Sequence, residues 1–116
     1  MKKVIIYHNP SCSKSRATLA LLTDRNIEPE IVLYKENPPS PAALSTIVTQ
    51  LGISPRELLR KGETAYKEKG LENPDLNDIE LIQAMADMPV LIERPIVICG
   101  DRAAIGRPPE QVLEIL

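Results

Sequence analysis

The strongest constraint on the fold lies in the first third of the chain. Val4-Ile5-Ile6-Tyr7 is a short β-rich run, consistent with a buried strand. Turn formers follow, His8-Asn9-Pro10-Ser11. From Ser13 the pattern becomes helical, with Ala17, Ala20, Leu21 and Leu22 on the apolar face, and Asn26 closes the helix. Glu30-Ile31-Val32-Leu33-Tyr34 then reads as a second strand. Strand, helix of about a dozen residues and strand make a βαβ unit. Its strands run parallel because the helix carries the chain back to the end where the first strand began.

The middle third changes character. Pro38, Pro39 and Pro41 stiffen a link in which Ser40 is an N-cap and Pro41 the first helical residue. Ala43, Leu44, Ile47, Val48 and Leu51 keep helical spacing until Gly52. Ser54-Pro55-Arg56-Glu57 is a capping-box pattern that starts a short helix through Leu58 and Leu59. Gly62 to Gly70 reads as one broken helical turn. Asn77-Asp78-Ile79-Glu80 opens a further helix, with Ile79, Leu81, Ile82, Met85 and Ala86 available for burial. The chain then returns to β. Pro95-Ile96-Val97-Ile98-Cys99 is a strand, Gly100-Asp101 a two-residue hairpin turn and Arg102-Ala103-Ala104-Ile105 the return strand. Pro108-Pro109 starts a last helix carrying Val112, Leu113 and Leu116. The order βαβ, helices, ββα predicts an α/β fold in one domain over residues 1–116. Its sheet is mixed because the last strand pair is a hairpin, and a helical insertion runs over about 40–88. The arrangement resembles the thioredoxin-like fold.

Composition narrows the function classes. The 116 residues suffice for a core without staples, and the lack of Phe and Trp makes that core aliphatic. A formal net charge of −2 argues against bulk nucleic-acid or membrane affinity, though not against a local basic pocket. No apolar run approaches the roughly 20 residues of a membrane helix. No signal-peptide pattern precedes Val4, so a cytoplasmic location is expected. Two cysteines, Cys12 and Cys99, are too few for a disulfide scaffold.

Cys12 falls between the first strand and the first helix. Unpaired N–H groups at a helix start favour negative charge, lower a thiol's pKa and cradle oxyanions. Asn9-Pro10-Ser11-Cys12-Ser13-Lys14-Ser15 surrounds it with hydroxyls, an amide and a cation, and the Ser15 hydroxyl could hydrogen-bond a thiolate. The alternative is a buried structural cysteine acting as a small hydrophobe. The polar neighbours favour catalysis and leave the alternative open. His8, the only histidine, could lower the thiol pKa or orient it, or simply pack at the strand end. Cys99 ends an apolar strand and reads as core, with a resolving-thiol role as the lesser option. Two Cys and one His at these spacings match no zinc-ligand pattern.

Three arginines occupy unusual places: Arg60 after Leu58-Leu59, Arg94 before a strand, and Arg107 between the last strand and last helix. A guanidinium suits tetrahedral oxyanions because its planar fork gives paired, charge-assisted hydrogen bonds. Singly, each reads as a solvated surface charge, as do Arg16, Arg25, Arg56 and Arg102.

Taken together, Tyr7-His8-Asn9-Pro10-Ser11-Cys12 with Ser15-Arg16, Gly52-Ile53-Ser54 through Leu58-Leu59-Arg60-Lys61, Leu91-Ile92-Glu93-Arg94-Pro95-Ile96-Val97, and Arg107-Pro108 resemble the glutaredoxin- and glutathione-coupled arsenate reductase (ArsC-like) family. The resemblance covers essentially the whole chain, in order. It implies that Cys12 is the nucleophile, that Arg60, Arg94 and Arg107 line an oxyanion site, and that His8 and Ser15 help keep the thiol ionised. It implies a cis Arg94–Pro95 peptide, arsenate as substrate, glutathione as reducing co-substrate, glutaredoxin as partner, and no metal or bound cofactor. Two rival readings share the scaffold. Spx-type regulators contact RNA polymerase and carry a Cys-x-x-Cys switch, which Cys12-x-x-Ser15 cannot form. A thiol oxidoreductase with another substrate is the second.

Overall fold

The computed structural model describes residues 3–116. They form two compact units. The first combines the chain up to Asn37 with Arg94–Leu116, and the second is Pro38–Glu93.

In the first unit, β1 (Val4–His8), α1 (Ser13–Asp24) and β2 (Glu30–Leu33) make the expected βαβ unit, with β1 and β2 parallel. β3 (Ile96–Cys99) and β4 (Arg102–Ile105) form the expected hairpin. Gly100 takes φ 64° in the turn, a conformation a side chain disfavours. The sheet order is β2-β1-β3-β4, with β3 antiparallel to both neighbours, so the sheet is mixed. Ile6, Leu22, Val97, Cys99, Val112 and Ile115 form the core cluster. Each large aliphatic side chain here contributes roughly 1.5–3 kcal/mol through burial.

Two expected faces differ. On α1 the buried residues are Ser15, Thr18 and Leu22, while Ala17 and Ala20 are exposed. The stripe keeps helical spacing but is polar at its N-terminal end, where it meets polar backbone rather than aliphatic core. The last element, Pro109–Ile115, is a 3-10 helix. Its three-residue period eclipses i and i+3, so Pro109, Val112 and Ile115 are buried. Leu113 is only half-buried and Leu116 exposed.

The second unit is helical: α2 (Pro41–Leu51), α3 (Pro55–Leu58), α4 (Thr64–Glu68), α5 (Asp78–Asp87) and a 3-10 turn at Pro89–Leu91. Its ends follow local chemistry. Ser40 caps α2 through the Ala43 N–H, and Gly52 ends that helix at φ 69°. Capping boxes Ser54/Glu57 and Asn77/Glu80 start α3 and α5. The broken turn expected near Gly62–Gly70 is the five-residue α4. Ile79 is 78% exposed, against expectation, because it lies about 110° around α5 from the middle of the face set by Leu81, Ile82 and Met85. The Leu59–Ile92 bridge, flanked by Arg60 N–H to Leu91 O and Glu93 N–H to Leu58 O, both 2.8 Å, ties the segment after α3 to the last residues of the unit. No described helix is long and apolar enough to cross a membrane.

Candidate active site

Tyrosines aside, the buried polar side chains among the described residues all belong to the first unit: His8, Asn9, Ser15 and Thr18. Burying polar groups is costly unless they are paired, and each of these finds a partner in β1, the following loop or α1. Ser15 Oγ lies 2.6 Å from His8 Nδ1 and accepts the Asn9 N–H at 3.0 Å. That geometry suits a Ser15 hydroxyl donating to an unprotonated Nδ1. Asn9 Oδ1 accepts the Ser11 N–H at 3.0 Å, and Asn9 O accepts the Cys12 N–H at 3.0 Å. Arg16 donates to Pro10 O at 2.9 Å. The loop Asn9–Cys12 is thus tied down at four points.

This loop delivers Cys12 to the N-cap of α1, with φ −99° and ψ 123°, and its carbonyl accepts the Arg16 N–H at 3.0 Å. An N-cap side chain normally accepts from the second and third helical N–H groups. The neutral thiol makes no such capping bond, but the Ser15 and Lys14 N–H groups favour its ionised form. Burial, the largest single influence, opposes ionisation. The Ser15 N–H, the charge of Arg94, the Lys14 N–H and a hydrogen bond from Arg94 together outweigh it, so the thiol lies below its ordinary value.

Ser15 therefore meets the sulfur with its backbone, while its hydroxyl, expected on the thiolate, serves His8 instead. His8 is pushed below its ordinary value, first by burial and then by the charge of Arg16. Its favoured neutral form brings no charge to the thiolate. What it offers is a fixed partner for Ser15.

Arg94 approaches Cys12, and Arg107 Nη1 donates to the Arg94 carbonyl at 3.2 Å, so these three residues form one chain of contacts. Both arginines precede cis prolines, Arg94–Pro95 and Arg107–Pro108; only the first was expected. Arg60 belongs to the second unit, where its guanidinium pairs with Glu63 at 2.9 Å and donates to Val90 O at 3.4 Å.

Cys99 faces Val4 in the register, at the opposite end of β1 from His8 and the loop that ends at Cys12. Four residues of strand put that pairing about 13 Å from His8, whereas a disulfide needs Cα atoms within about 7 Å. Cys99 sits in the core cluster and is no resolving thiol for Cys12 in this arrangement. No group of three or more His, Cys, Asp or Glu among the described residues could hold a metal ion.

Sequence reasoning put the Asn9 amide near Cys12 without giving it a role, and read Arg16 as a surface charge. Asn9 carried a readable signal, since an Asn side chain commonly bonds the N–H two residues on. Arg16 carried none, because its partner is a backbone carbonyl that only the folded loop presents.

A family model described as the ArsC family matches residues 7–115. A Haemophilus influenzae protein named arsenate reductase is 54% identical over 114 residues, covering 97% of this chain and 98% of that protein. An Escherichia coli K12 protein named uncharacterized protein YfgD is 55% identical over 116 residues, covering 99% and 98%. The solved structure of the arsenate reductase from Vibrio cholerae is 52% identical and covers 99% of this chain and 98% of its own, with a TM-score of 0.97. The matched stretch includes the mixed thioredoxin-like sheet, the Cys12 loop and the arginine-bearing segments, and the chain belongs to the ArsC family.

Proposed function

We propose that this protein reduces arsenate to arsenite through a covalent adduct on Cys12, with electrons from glutathione and glutaredoxin. The observation that carries this reading is a thiol at the start of α1 whose ionised form is favoured beside the guanidinium of Arg94. Relatives named arsenate reductase over nearly the full chain support the substrate.

The Cys12 thiolate attacks arsenic and displaces one oxygen, which leaves as water after protonation, giving a thioester-like arsenic–sulfur adduct. Arg94 and Arg107 neutralise charge on the remaining oxygens. Glutathione thiolate then attacks the Cys12 sulfur. A sulfur–sulfur bond forms, the sulfur–arsenic bond breaks, and its electron pair reduces As(V) to As(III). Glutaredoxin reduces the mixed disulfide and restores Cys12. The supply of glutathione puts this chemistry in the cytoplasm. No bound cofactor takes part.

The test is arsenate-dependent thiol consumption with glutathione and glutaredoxin. Cys12→Ser is expected to lower turnover by about 10³-fold or more while keeping the fold. Residual turnover near wild type defeats the mechanism. A wild-type protein that reduces small disulfides but not arsenate favours the thiol oxidoreductase with another substrate.

A further inference from the structure

Gly106 follows β4 and precedes Arg107, and its N–H donates to Pro95 O at 3.0 Å. A Cβ there would overlap Thr18 Oγ1 and lie 2.9 Å from Pro95 Cγ and 3.2 Å from Thr18 Cγ2. Gly52, Gly62 and Gly70 have nothing within 4 Å of such an atom. The backbone of Gly106 lies outside the left-handed region, so what this position demands is space rather than conformation. The obstacles are stiff. Thr18 is fully buried and its hydroxyl donates to Lys14 O at 2.8 Å, while the Pro95 ring has no rotamer to change.

Three segments meet at this bare Cα. One is α1 at Thr18, a turn beyond the Lys14 and Ser15 N–H groups that face Cys12 and tied to Lys14 O by its hydroxyl. The others are Arg94-Pro95 and Gly106-Arg107, joined by the bond from Arg107 to the Arg94 carbonyl.

We propose that Gly106 is a positioning residue for the Cys12 site: its missing side chain lets the two arginine-bearing segments seat against α1, holding Arg94 and Arg107 in register with the sulfur. The arsenate arm of the test rests on the proposed function; the thiol arm does not.

Gly106→Ala is compared with wild type in two measurements. The first is ionisation of Cys12, followed by thiolate ultraviolet absorbance against pH. The second is the split between arsenate KM and kcat. The expected result is a thiol that ionises at higher pH and a KM raised about 10-fold or more, since displacements near 1 Å can cost that much. A merely structural role would lower the thermal midpoint and leave both readouts of the folded protein unchanged. Gly106→Ala/Thr18→Ala removes the closest obstacle but leaves Pro95 Cγ at 2.9 Å, and should bring both readouts part of the way back to those of Thr18→Ala. If Gly106→Ala fails to fold, this double variant carries the test. A folded Gly106→Ala with wild-type thiol ionisation and KM overturns the proposal. So does a double variant that fails to fold or stays no closer to Thr18→Ala than the single one. Absent arsenate turnover by wild type would sink the proposed function, and the thiol titration would still decide the role of Gly106.

Discussion

The two ends of the sheet bury a cysteine each and treat it in opposite ways. Near Val4, Cys99 packs among Ile6, Val97 and Ile115 with partly buried Val4 and Ala104 beside it, as one more small hydrophobe. Near His8, Cys12 is only 9% exposed, yet backbone N–H groups and a guanidinium surround it and favour its charged form. Burial alone therefore says little about a thiol. The partners that burial brings with it decide whether the group is filler or nucleophile, because low dielectric strengthens both the penalty for an unpaired charge and the reward for a paired one.

The sharpest way to break this comparison is to make Cys12 resemble Cys99 electrostatically. Arg94→Ala removes a charge and a hydrogen bond from the thiolate. It should lower kcat/KM for arsenate about 100-fold, chiefly through the proposed part of Arg94 in holding the oxyanion. It should also move the pH dependence in a definite direction. The thiolate is the active form, so activity rises as pH passes upward through the Cys12 pKa. Losing Arg94 raises that pKa and moves the rising limb to higher pH, which a pH–rate profile would reveal. An unmoved limb would mean that the N–H groups of α1 suffice.

A smaller effect is expected one step further from the sulfur. Ser15→Ala keeps the backbone N–H at the thiolate but deprives His8 Nδ1 and the Asn9 N–H of their shared partner. A lost buried hydrogen bond of about 1–1.5 kcal/mol corresponds to about a 10-fold fall in turnover if loop geometry governs catalysis. Thiol ionisation should change less than in Arg94→Ala. The reverse order would show that the hydroxyl, rather than the N–H, governs the sulfur.

The mildest catalytic effect belongs to the far end. Cys99→Ala should leave arsenate turnover within about twofold of wild type and cost about 1–2 kcal/mol of stability in denaturant unfolding, from a small cavity in the aliphatic cluster. Loss of turnover in a folded Cys99→Ala would erase the distinction between the two ends.

Much of the fold was legible because its signals are local. The caps at Ser40, Ser54 and Asn77, the stop at Gly52 and the turn at Gly100 each satisfy their own backbone within a few residues, so neighbours in sequence are enough to read them. The failures occurred where a distant segment chose the face or where the helix period itself was misjudged. Ser15 and Thr18, rather than Ala17 and Ala20, are buried on α1 because they face the His8 imidazole, the Asn9 N–H and Gly106. The tight period of the C-terminal 3-10 helix exposed Leu116, and Ile79 fell off the buried stripe of α5.

The sequence by itself determined that a cysteine stands between a strand and a helix with polar neighbours, and that the strands before and after that helix run parallel. Those are consequences of chain order and side-chain type. Only the tertiary structure decided that Arg94 reaches that cysteine, that Arg107 holds Arg94 through its carbonyl, and that Arg16 anchors Pro10. Each of these guanidinium groups is long and flexible, and alone would stay in water. Their places depend on backbone carbonyls and a bare Cα that folding brings to one spot, and no periodicity or spacing along the chain records such meetings.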